Sequence, residues 1–360
     1  MFVQGLGICV GLSIVGLLAM SGAISVASAQ PQAQALYDEA LTALPNRDEL
    51  QRLLDQAIEL DPDFAPAYAL KAEQYALAVA ATVAASYDSA QASALAELAI
   101  ENAERALVLD ASSVRAYLAL GLTHRQYWRW PAALDAFARA YELAPHDPSV
   151  LFNYGWLSSF AGSHERAVEI AAQGIALAPS SANAHRDLGI AHAYAGNPEA
   201  SAAALRECLR LDANIGVCHI YLGFALLRQE DYAAAEFSLR EAERLFGATP
   251  SPAAISSLAH AYMRTGRPED AARLFDRLTG RATRGVVGAG SWPLAYLAIG
   301  DQERAYEWLN RAVLKIERNQ PDEGFFNLMI IKANVQANPV LDEPRFAALR
   351  ARIGYNQMSE

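Results

Sequence analysis

Charged residues, cysteine and basic clusters are scarce in this 360-residue sequence. Asp, Glu, Lys and Arg make up 19% of it, there are only 3 Cys, and 53% of the residues are hydrophobic. So little charge excludes a disordered chain, and so few cysteines exclude a small domain held together by disulfides. The net charge of -11 repels phosphate backbones, and no run of Lys and Arg offsets it. The composition therefore predicts a folded protein that does not bind nucleic acid.

Motifs of common enzymes are absent as well. The sequence contains no P-loop, no Cys-x-x-Cys pair, no His-Glu-x-x-His helix and no Gly-x-Ser-x-Gly elbow. A Gly-rich run at residues 285–290 precedes an expected helix, but no strand leads into it and no Lys follows, so it is interpreted as a linker. The sequence therefore predicts a protein that is not an enzyme and has no cofactor.

Charge is completely missing from the first 37 residues. An apolar run over residues 5–19 is followed by small residues that end in Ala27-Ser28-Ala29, a pattern typical of an export signal cleaved before Gln30. Residues 2–29 are also long enough to cross a hydrocarbon core of about 30 Å. Residues 1–29 are therefore either a signal peptide or an N-terminal membrane anchor. Both interpretations place the rest of the chain outside the cytoplasm, in the periplasm or anchored at the inner membrane.

What the sequence does contain is a period of 34 residues. Glycine recurs at this spacing, and each glycine is followed twelve residues later by a small or apolar residue and sixteen residues later by an apolar one. The glycines are Gly121, Gly155, Gly189 and Gly223, and the residues sixteen positions later are Phe137, Ala171, Leu205 and Leu239. Small residues at helical spacing allow two antiparallel helices to approach closely. Each unit is therefore predicted to be a helical hairpin.

This frame resembles the tetratricopeptide repeat (TPR) and covers nearly everything after residue 30. The resemblance implies an all-α fold, a TPR-type right-handed α-solenoid of helical hairpins over residues 30–320. About eight units are expected, with first helices that begin near Gln32, Ala65, Val114, Pro148, Ala182, Gly216, Pro252 and Val286. The second unit carries an insertion near residues 80–93, expected between its two helices. In the last unit Pro293 should delay the first helix, with Ser291 as its N-cap.

The C-terminal residues 321–360 are predicted to form an extension with a capping helix at about Glu343 to Ile353. Segments such as IELDPDFAPAYA and NPVLDEPRFAALRARIGY resemble the extracytoplasmic TPR half of membrane-anchored winged-helix regulators and receptor-type adenylate cyclases. In that group an output domain precedes the membrane segment. Here the apolar segment begins at residue 2, so no output domain is expected, and neither DNA binding nor cyclase chemistry is carried over.

TPR proteins commonly bind extended peptides on the concave wall that their first helices form. The resemblance places on this wall Arg125, Phe152, Trp156, Phe160, Arg186, Tyr194, Phe224, Arg228, His260, Met263 and Arg264. Aromatic and guanidinium groups are frequent at binding hot spots. The wall therefore suits a peptide with aromatic or aliphatic anchors and a carboxylate. The alternative is that the aromatic residues are part of the core of a tightly wound array.

Two further groups of residues admit a structural or a chemical interpretation. Cys208 and Cys218 flank a turn between repeats, where they form either a disulfide or two small residues of a packed interface. His185, His192 and His219 lie on the seam side of their helices, so buried imidazoles bonded to the backbone are expected rather than metal ligands. No metal site is predicted.

The predicted function is that of an exported, non-enzymatic TPR scaffold that binds a protein or peptide partner in its concave groove. The alternative is a receptor half that binds a small molecule and signals to a membrane partner. Membrane association through residues 2–29 is compatible with both.

Overall fold

The computed structural model describes residues 29–44, 46–85, 89–247, 251–282, 289–318 and 343–352. Within these ranges the chain is helical, with short turns and no strand. The predicted signal or anchor, apart from residue 29, lies outside the described residues, and so does most of the predicted linker. Among the helices that are described, none combines the length and the apolar character needed to cross a bilayer.

The described helices alternate as the first and second members of successive hairpins. The first helices are α1 (29–42), α3 (Ala65–Ala85), α5 (Val114–Gln126), α7 (Pro148–Ala161), α9 (Ala182–Ala195), α11 (Gly216–Arg228), α13 (Pro252–Arg264) and α15 (Trp292–Ala298). The second helices are α2 (Arg47–Leu60), α4 (Ser89–Leu109), α6 (Trp130–Leu143), α8 (His164–Leu177), α10 (Pro198–Leu211), α12 (Tyr232–Phe246), α14 (Pro268–Ala282) and α16 (Gln302–Glu317), and α17 (Pro344–Arg352) follows them. Six of the predicted unit starts, from Ala65 to Pro252, coincide with the first residue of a helix.

Stacking between neighbours organises these hairpins. From α3 onward, each first helix packs against its own second helix and against the next first helix, and the second helices up to α12 also contact the first helix that follows them. Such nearest-neighbour packing defines a solenoid, in which no single closed core is needed. The predicted all-α solenoid of helical hairpins is therefore confirmed.

The periodic glycines lie where the two helices of a hairpin cross. A Cβ atom on Gly121 would lie 2.3 Å from Cε1 of Phe137, and one on Gly189 would lie 2.5 Å from Cγ of Leu205. A Cβ atom on Gly223 would likewise lie 2.6 Å from Cγ of Leu239 on the second helix. Carbon atoms in van der Waals contact are about 3.5–4.0 Å apart, so a methyl group does not fit at these crossings. The 34-residue period therefore marks the closest contact within each hairpin.

The insertion in the second unit has a different form from the one predicted. Instead of separating two ordinary helices, it lengthens both of them, because α3 and α4 contain 21 residues each, whereas α5 has 13 and α6 has 14. The inserted segment is rich in Ala, the residue with the highest helix propensity. The extra residues therefore continue the helices by about two turns each.

The start of the last first helix and the C-terminal helix lie where the sequence predicts them. A 3-10 turn at Ala289–Ser291 precedes α15, and Ser291 is the N-cap residue, although its side chain makes no capping hydrogen bond. Helix α17 packs on α16 and buries Phe346. Arg345 donates a hydrogen bond to Glu303 at 2.7 Å, and Arg352 donates one to Glu317 at 2.8 Å. Helix α17 thus covers the last described hairpin with a polar outer face, as a solenoid requires.

A disulfide links two consecutive hairpins. Cys208 near the end of α10 and Cys218 in the first turn of α11 are bonded to each other, and both are fully buried. Of the two alternatives that the sequence left open, the structure contains the first. The bond closes a loop of ten residues between the second helix of one repeat and the first helix of the next.

Loss of this disulfide is expected to lower the free energy of unfolding by about 2–3 kcal/mol. The reason is that a cross-link across a short loop lowers the entropy of the unfolded chain, which raises its free energy by about that amount. The measurement compares guanidinium unfolding of the oxidised protein with and without a reductant. Cys208→Ala/Cys218→Ala serves as the control, since its unfolding midpoint should not respond to the reductant. Equal midpoints for the oxidised and the reduced wild-type protein would contradict the bond.

Candidate partner-binding site

Three of the predicted wall residues lie in the interior of the solenoid. Phe160, Tyr194 and Phe224 are 4%, 6% and 2% exposed. They belong to a ladder of aromatic rings along the first helices, in which the ring centroids of Phe160 and Tyr194 are 4.4 Å apart and those of Tyr221 and Phe224 are 5.4 Å apart. The rings fill the space between neighbouring first helices. For these three residues, burial favours the core alternative that the sequence left open.

Arg228 has a structural role at the end of a helix. Its guanidinium donates hydrogen bonds to the carbonyl oxygens of Ala193 at 3.2 Å and of Gly196 at 3.0 Å. These carbonyls lie at the C-terminal end of α9, where the last backbone acceptors of a helix lack partners within the helix and a cation is favourable. Burial lowers the pKa of Arg228. The side chain therefore stabilises the turn that follows α9.

His260 and Arg264 lie together on α13 with Met263, which is 39% exposed. The side chain of Arg264 is 51% exposed, lies 4.0 Å from Glu230, and has its guanidinium carbon 5.4 Å from the centroid of the Tyr232 ring. Burial lowers the pKa of His260, and the charge of Arg264 adds to this effect. Of the two, Arg264 is the more accessible to a partner.

Four more of the predicted residues come together on three consecutive first helices. The guanidinium carbon of Arg125 on α5 lies 4.9 Å from the centroid of the Trp156 ring on α7. That of Arg186 on α9 lies 5.1 Å from the centroid of the Phe152 ring, also on α7. All four side chains are partly exposed. Such cation–π contacts hold the guanidinium and aromatic groups beside each other. We call these four residues the cationic aromatic patch.

Arg125 has no carboxylate partner in the described part of the chain. Its Nη1 atom donates to Oδ1 of Asn153 at 3.1 Å, while its buried Nε has no hydrogen-bond acceptor among the described residues. Burial lowers the pKa of Arg125 to about 10. A desolvated charge with only neutral contacts is unfavourable unless an opposite charge approaches it. The position of Arg125 therefore favours an anionic group of a bound molecule.

Arg186, in contrast, has a partner within the patch region. Its Nε donates to Oδ1 of Asp187 at 2.9 Å, and its Nη1 donates to Oδ1 of Asn183 at 2.9 Å. Burial raises the pKa of Asp187, and Arg186 partly opposes this shift. Two guanidinium groups and one carboxylate leave a single uncompensated positive charge here, on a protein whose net charge is -11. The patch is thus locally cationic.

Sequence reasoning missed Asn153. This residue is buried, and its Nδ2 donates to the carbonyl oxygen of Ser149 at 2.8 Å, which leaves Oδ1 to accept from Arg125. A signal was present, because Asp187 lies 34 residues later at the same position of the next repeat and binds Arg186. Two consecutive repeats thus carry a polar side chain at the same position of the first helix. Asn153 on α7 positions Arg125, and Asp187 on α9 positions Arg186.

A cavity of about 340 Å³ lies beside the patch, between α7, α8 and α9. Phe152, Trp156 and Arg186 line one side of it, and Ile170 and Ile190 contribute apolar surface. This cavity was not among the predicted features. Its volume is at the lower end of the range for small ligand sites.

Two of the three histidines make local contacts, whereas the buried Nδ1 atom of His192 has no hydrogen-bond partner among the described residues. His185 Nε2 lies 2.9 Å from the carbonyl oxygen of Pro179, as expected for a backbone-bonded imidazole, and His219 Nδ1 lies 3.4 Å from Oγ of Ser238. Burial lowers the pKa of His192 and of His219. The described residues contain no group of three or more His, Cys, Asp or Glu side chains arranged to hold a metal ion.

Comparisons with known proteins give one family match and several similar structures. Residues 226–284 match the family model of the tetratricopeptide repeat. Three solved structures are similar to the chain: a thermophilic TPR protein of Thermus thermophilus (22% identity, 52% of this chain and 99% of that one, TM-score 0.46), pilF of Pseudomonas aeruginosa (17%, 59% and 91%, 0.45) and YrrB, a TPR protein with an unusual peptide-binding site (20%, 51% and 88%, 0.39). No curated protein matches the sequence.

By their own packing, the described helices form an α-solenoid of stacked helical hairpins. The segment that matches the tetratricopeptide repeat model spans the end of α11 and the whole of α12, α13 and α14.

Proposed function

We propose that this protein is a scaffold that holds an extended segment of a protein partner on the cationic aromatic patch. The observation that carries the proposal is Arg125, a desolvated guanidinium that stacks on Trp156 and has no carboxylate partner among the described residues. A carboxylate of the partner would supply the missing counter-charge. The partly exposed rings of Phe152 and Trp156 would contact apolar side chains of the same segment.

The composition of the patch supports binding rather than catalysis. Its four members are arginine and aromatic residues, and the side chains that position the arginines are Asn153, Asn183 and Asp187. None of these is a nucleophile with a general base in hydrogen-bond reach. The groups suit recognition of a carboxylate and of apolar surface.

We further propose that the scaffold acts outside the cytoplasm. The Cys208–Cys218 disulfide supports an oxidising compartment, and the charge-free N-terminal stretch supports export. Mass spectrometry of cell fractions tests this proposal. An envelope protein that begins at Gln30 indicates a cleaved signal, and an intact membrane-bound chain indicates an anchor. A reduced protein in the cytoplasmic fraction would exclude the proposal.

Arg125→Met tests the partner-binding role. Peptides that carry a carboxylate near an aromatic or aliphatic residue are expected to be selected from a random display library by the wild-type chain. Their affinity should fall about 10- to 100-fold in Arg125→Met, because a hydrogen bond to a charged group contributes about 1.5–3 kcal/mol. Thermal stability should stay equal or rise, since the substitution removes a desolvated charge. Calorimetric titration and thermal unfolding measure the two effects.

Arg210→Met is the matched control, because this arginine is 66% exposed, pairs with Glu207 of its own second helix α10, and should leave peptide affinity unchanged. Unchanged affinity in Arg125→Met would remove the basis of the proposal. If the library yields no peptide and a small carboxylic acid copurifies with the wild-type chain, the receptor function replaces the scaffold function.

A further inference from the structure

The cavity between α7, α8 and α9 exists because one repeat has small residues where its neighbours have larger ones. In the other three hairpins of the glycine frame, a large apolar residue of the second helix packs against the glycine of the first: Phe137, Leu205 and Leu239. The equivalent residue of α8 is Ala171. One turn later, the neighbours carry Ala140, Cys208 and Ala242, and α8 carries Gly174. In α8, two side chains are therefore smaller than their equivalents in the other three repeats.

The surrounding residues fill this space only in part. Ile170 turns toward the seam, and its Cγ2 atom lies 3.1 Å from the place where a Cβ on Gly155 would be. A Cβ on Gly174 would have no atom within 4 Å. The cavity of about 340 Å³ opens to the surface, so the apolar surface that these small residues leave uncovered is accessible to a ligand group. Such a group would restore the dispersion contacts that a filled seam has in the neighbouring repeats.

The lining of the cavity selects an apolar group with polar atoms at its edge. Leu151, Ile170 and Ile190 form apolar surface, and the rim carries Arg186 and Asp187. Arg186 and Asp187 are already paired with each other, so the cavity itself presents no free charge. The uncompensated cation is Arg125, on the other side of Trp156 from α9. The ring of Trp156 lines the cavity and also contacts Arg125, so it connects the two subsites.

We propose that the cavity is a socket for one large apolar side chain of the bound partner segment. This inference rests on the proposed function, and it adds a specificity rule to it. Packed helices lie about 8–10 Å apart, so Arg125 on α5 and a socket beyond α7 are separated by roughly 10–15 Å. An extended chain advances about 3.3 Å per residue. The partner segment thus carries a carboxylate about three to five residues away from a large aliphatic or aromatic side chain. A free metabolite confined to the cavity does not reach Arg125.

Ala171→Leu/Gly174→Ala tests the socket, because it gives α8 the pattern of its neighbours and fills the cavity. The filled variant is expected to unfold at a higher temperature than the wild-type chain. Segments selected by the wild-type chain should bind it about 10- to 100-fold more weakly, the factor that corresponds to burial of one large apolar side chain. Gly174→Leu is the second variant, since its side chain enters the open space without changing Ala171.

Gly280→Ala is the matched control for helix propensity. Gly280 is exposed on α14, and a Cβ there meets no atom of the described residues within 4 Å, so this substitution removes a helix glycine without filling the cavity between α7, α8 and α9. It should raise the unfolding temperature and leave segment binding unchanged. Indole serves as an independent probe of the empty socket. It should bind the wild-type chain and Gly280→Ala, and should not bind either filled variant.

The outcomes separate this inference from the proposed function. If the filled variants select and bind the same segments as the wild-type chain, the socket is wrong and the scaffold function stands. If Arg125→Met also leaves the affinity for these segments unchanged, both the socket and the scaffold function are wrong. If indole binds the wild-type cavity but no segment does, the cavity is a small-molecule site, which overturns the socket and the scaffold together.

Discussion

Phe160→Ala is expected to destabilise the solenoid by about 3–5 kcal/mol, the usual cost of removing a buried aromatic ring. The ring is 4% exposed and packs against Trp156 and Tyr194, with centroid separations of 4.1 and 4.4 Å. Trp156→Ala, one turn earlier on α7, should cost much less stability because its ring is partly exposed, and it should abolish segment binding. Guanidinium unfolding and calorimetric titration of the two variants give the comparison.

Phe160→Leu is the control for this pair, because it retains most of the apolar volume and should recover much of the lost stability. The opposite pattern would be informative. If Phe160→Ala folds with nearly wild-type stability and loses segment binding, the ring contacts the partner and the assignment of Phe160 to the core is wrong.

Gly121→Ala is expected to destabilise the protein by about 1–3 kcal/mol, although alanine is the better helix former. The new methyl carbon would lie 2.3, 2.5 and 2.7 Å from three ring atoms of Phe137, and that ring is fully buried. The clash therefore outweighs the gain of about 1 kcal/mol that alanine gives in an exposed helix. Gly280→Ala, with no neighbour for its methyl group, should show that gain instead. Chemical unfolding should give opposite signs for the two variants.

A double-mutant cycle identifies the cause of the Gly121→Ala effect. In a Phe137→Leu background the ring atoms that meet the methyl group are gone, so the added cost of Gly121→Ala should be smaller. Gly155→Ala provides a graded comparison, because its nearest contact is longer, 3.1 Å to Cγ2 of Ile170. Equal costs in both backgrounds would mean that the ring of Phe137 does not restrict Gly121.

The small and apolar positions that all repeats share are used for packing one hairpin on the next. A binding site in such an array therefore depends on positions at which one repeat differs from the others. The repeat formed by α7 and α8 departs from the frame at Ala171 and Gly174, and the same repeat carries Phe152 and Trp156 on its first helix. The neighbouring first helices supply one arginine each. The patch and the cavity therefore lie on a hairpin whose seam is incompletely filled.

Much of the fold could be predicted from the sequence, because a helical hairpin is a local structure. The repeat frame, extended outward from the four units with a 34-residue period, located six of the first helices to the residue, and Pro293 located the delayed start of α15. The sequence located the insertion near residues 80–93, but it did not predict that the insertion lengthens both helices of the hairpin. Its extent follows from the spacing of repeats, whereas its conformation depends on whether neighbouring helices support two additional turns.

The sequence by itself determined the hairpin unit, the glycine seam and the set of first-helix residues from which a binding site is chosen. Only the tertiary structure decided which of those residues are accessible at the surface. Phe160 and Trp156 lie one turn apart on the same helix, yet one ring is covered by neighbouring helices and the other is partly open. Periodicity along a chain reports which helix face a residue occupies, whereas its exposure depends on the volume of side chains on helices that are about 30 or more residues away.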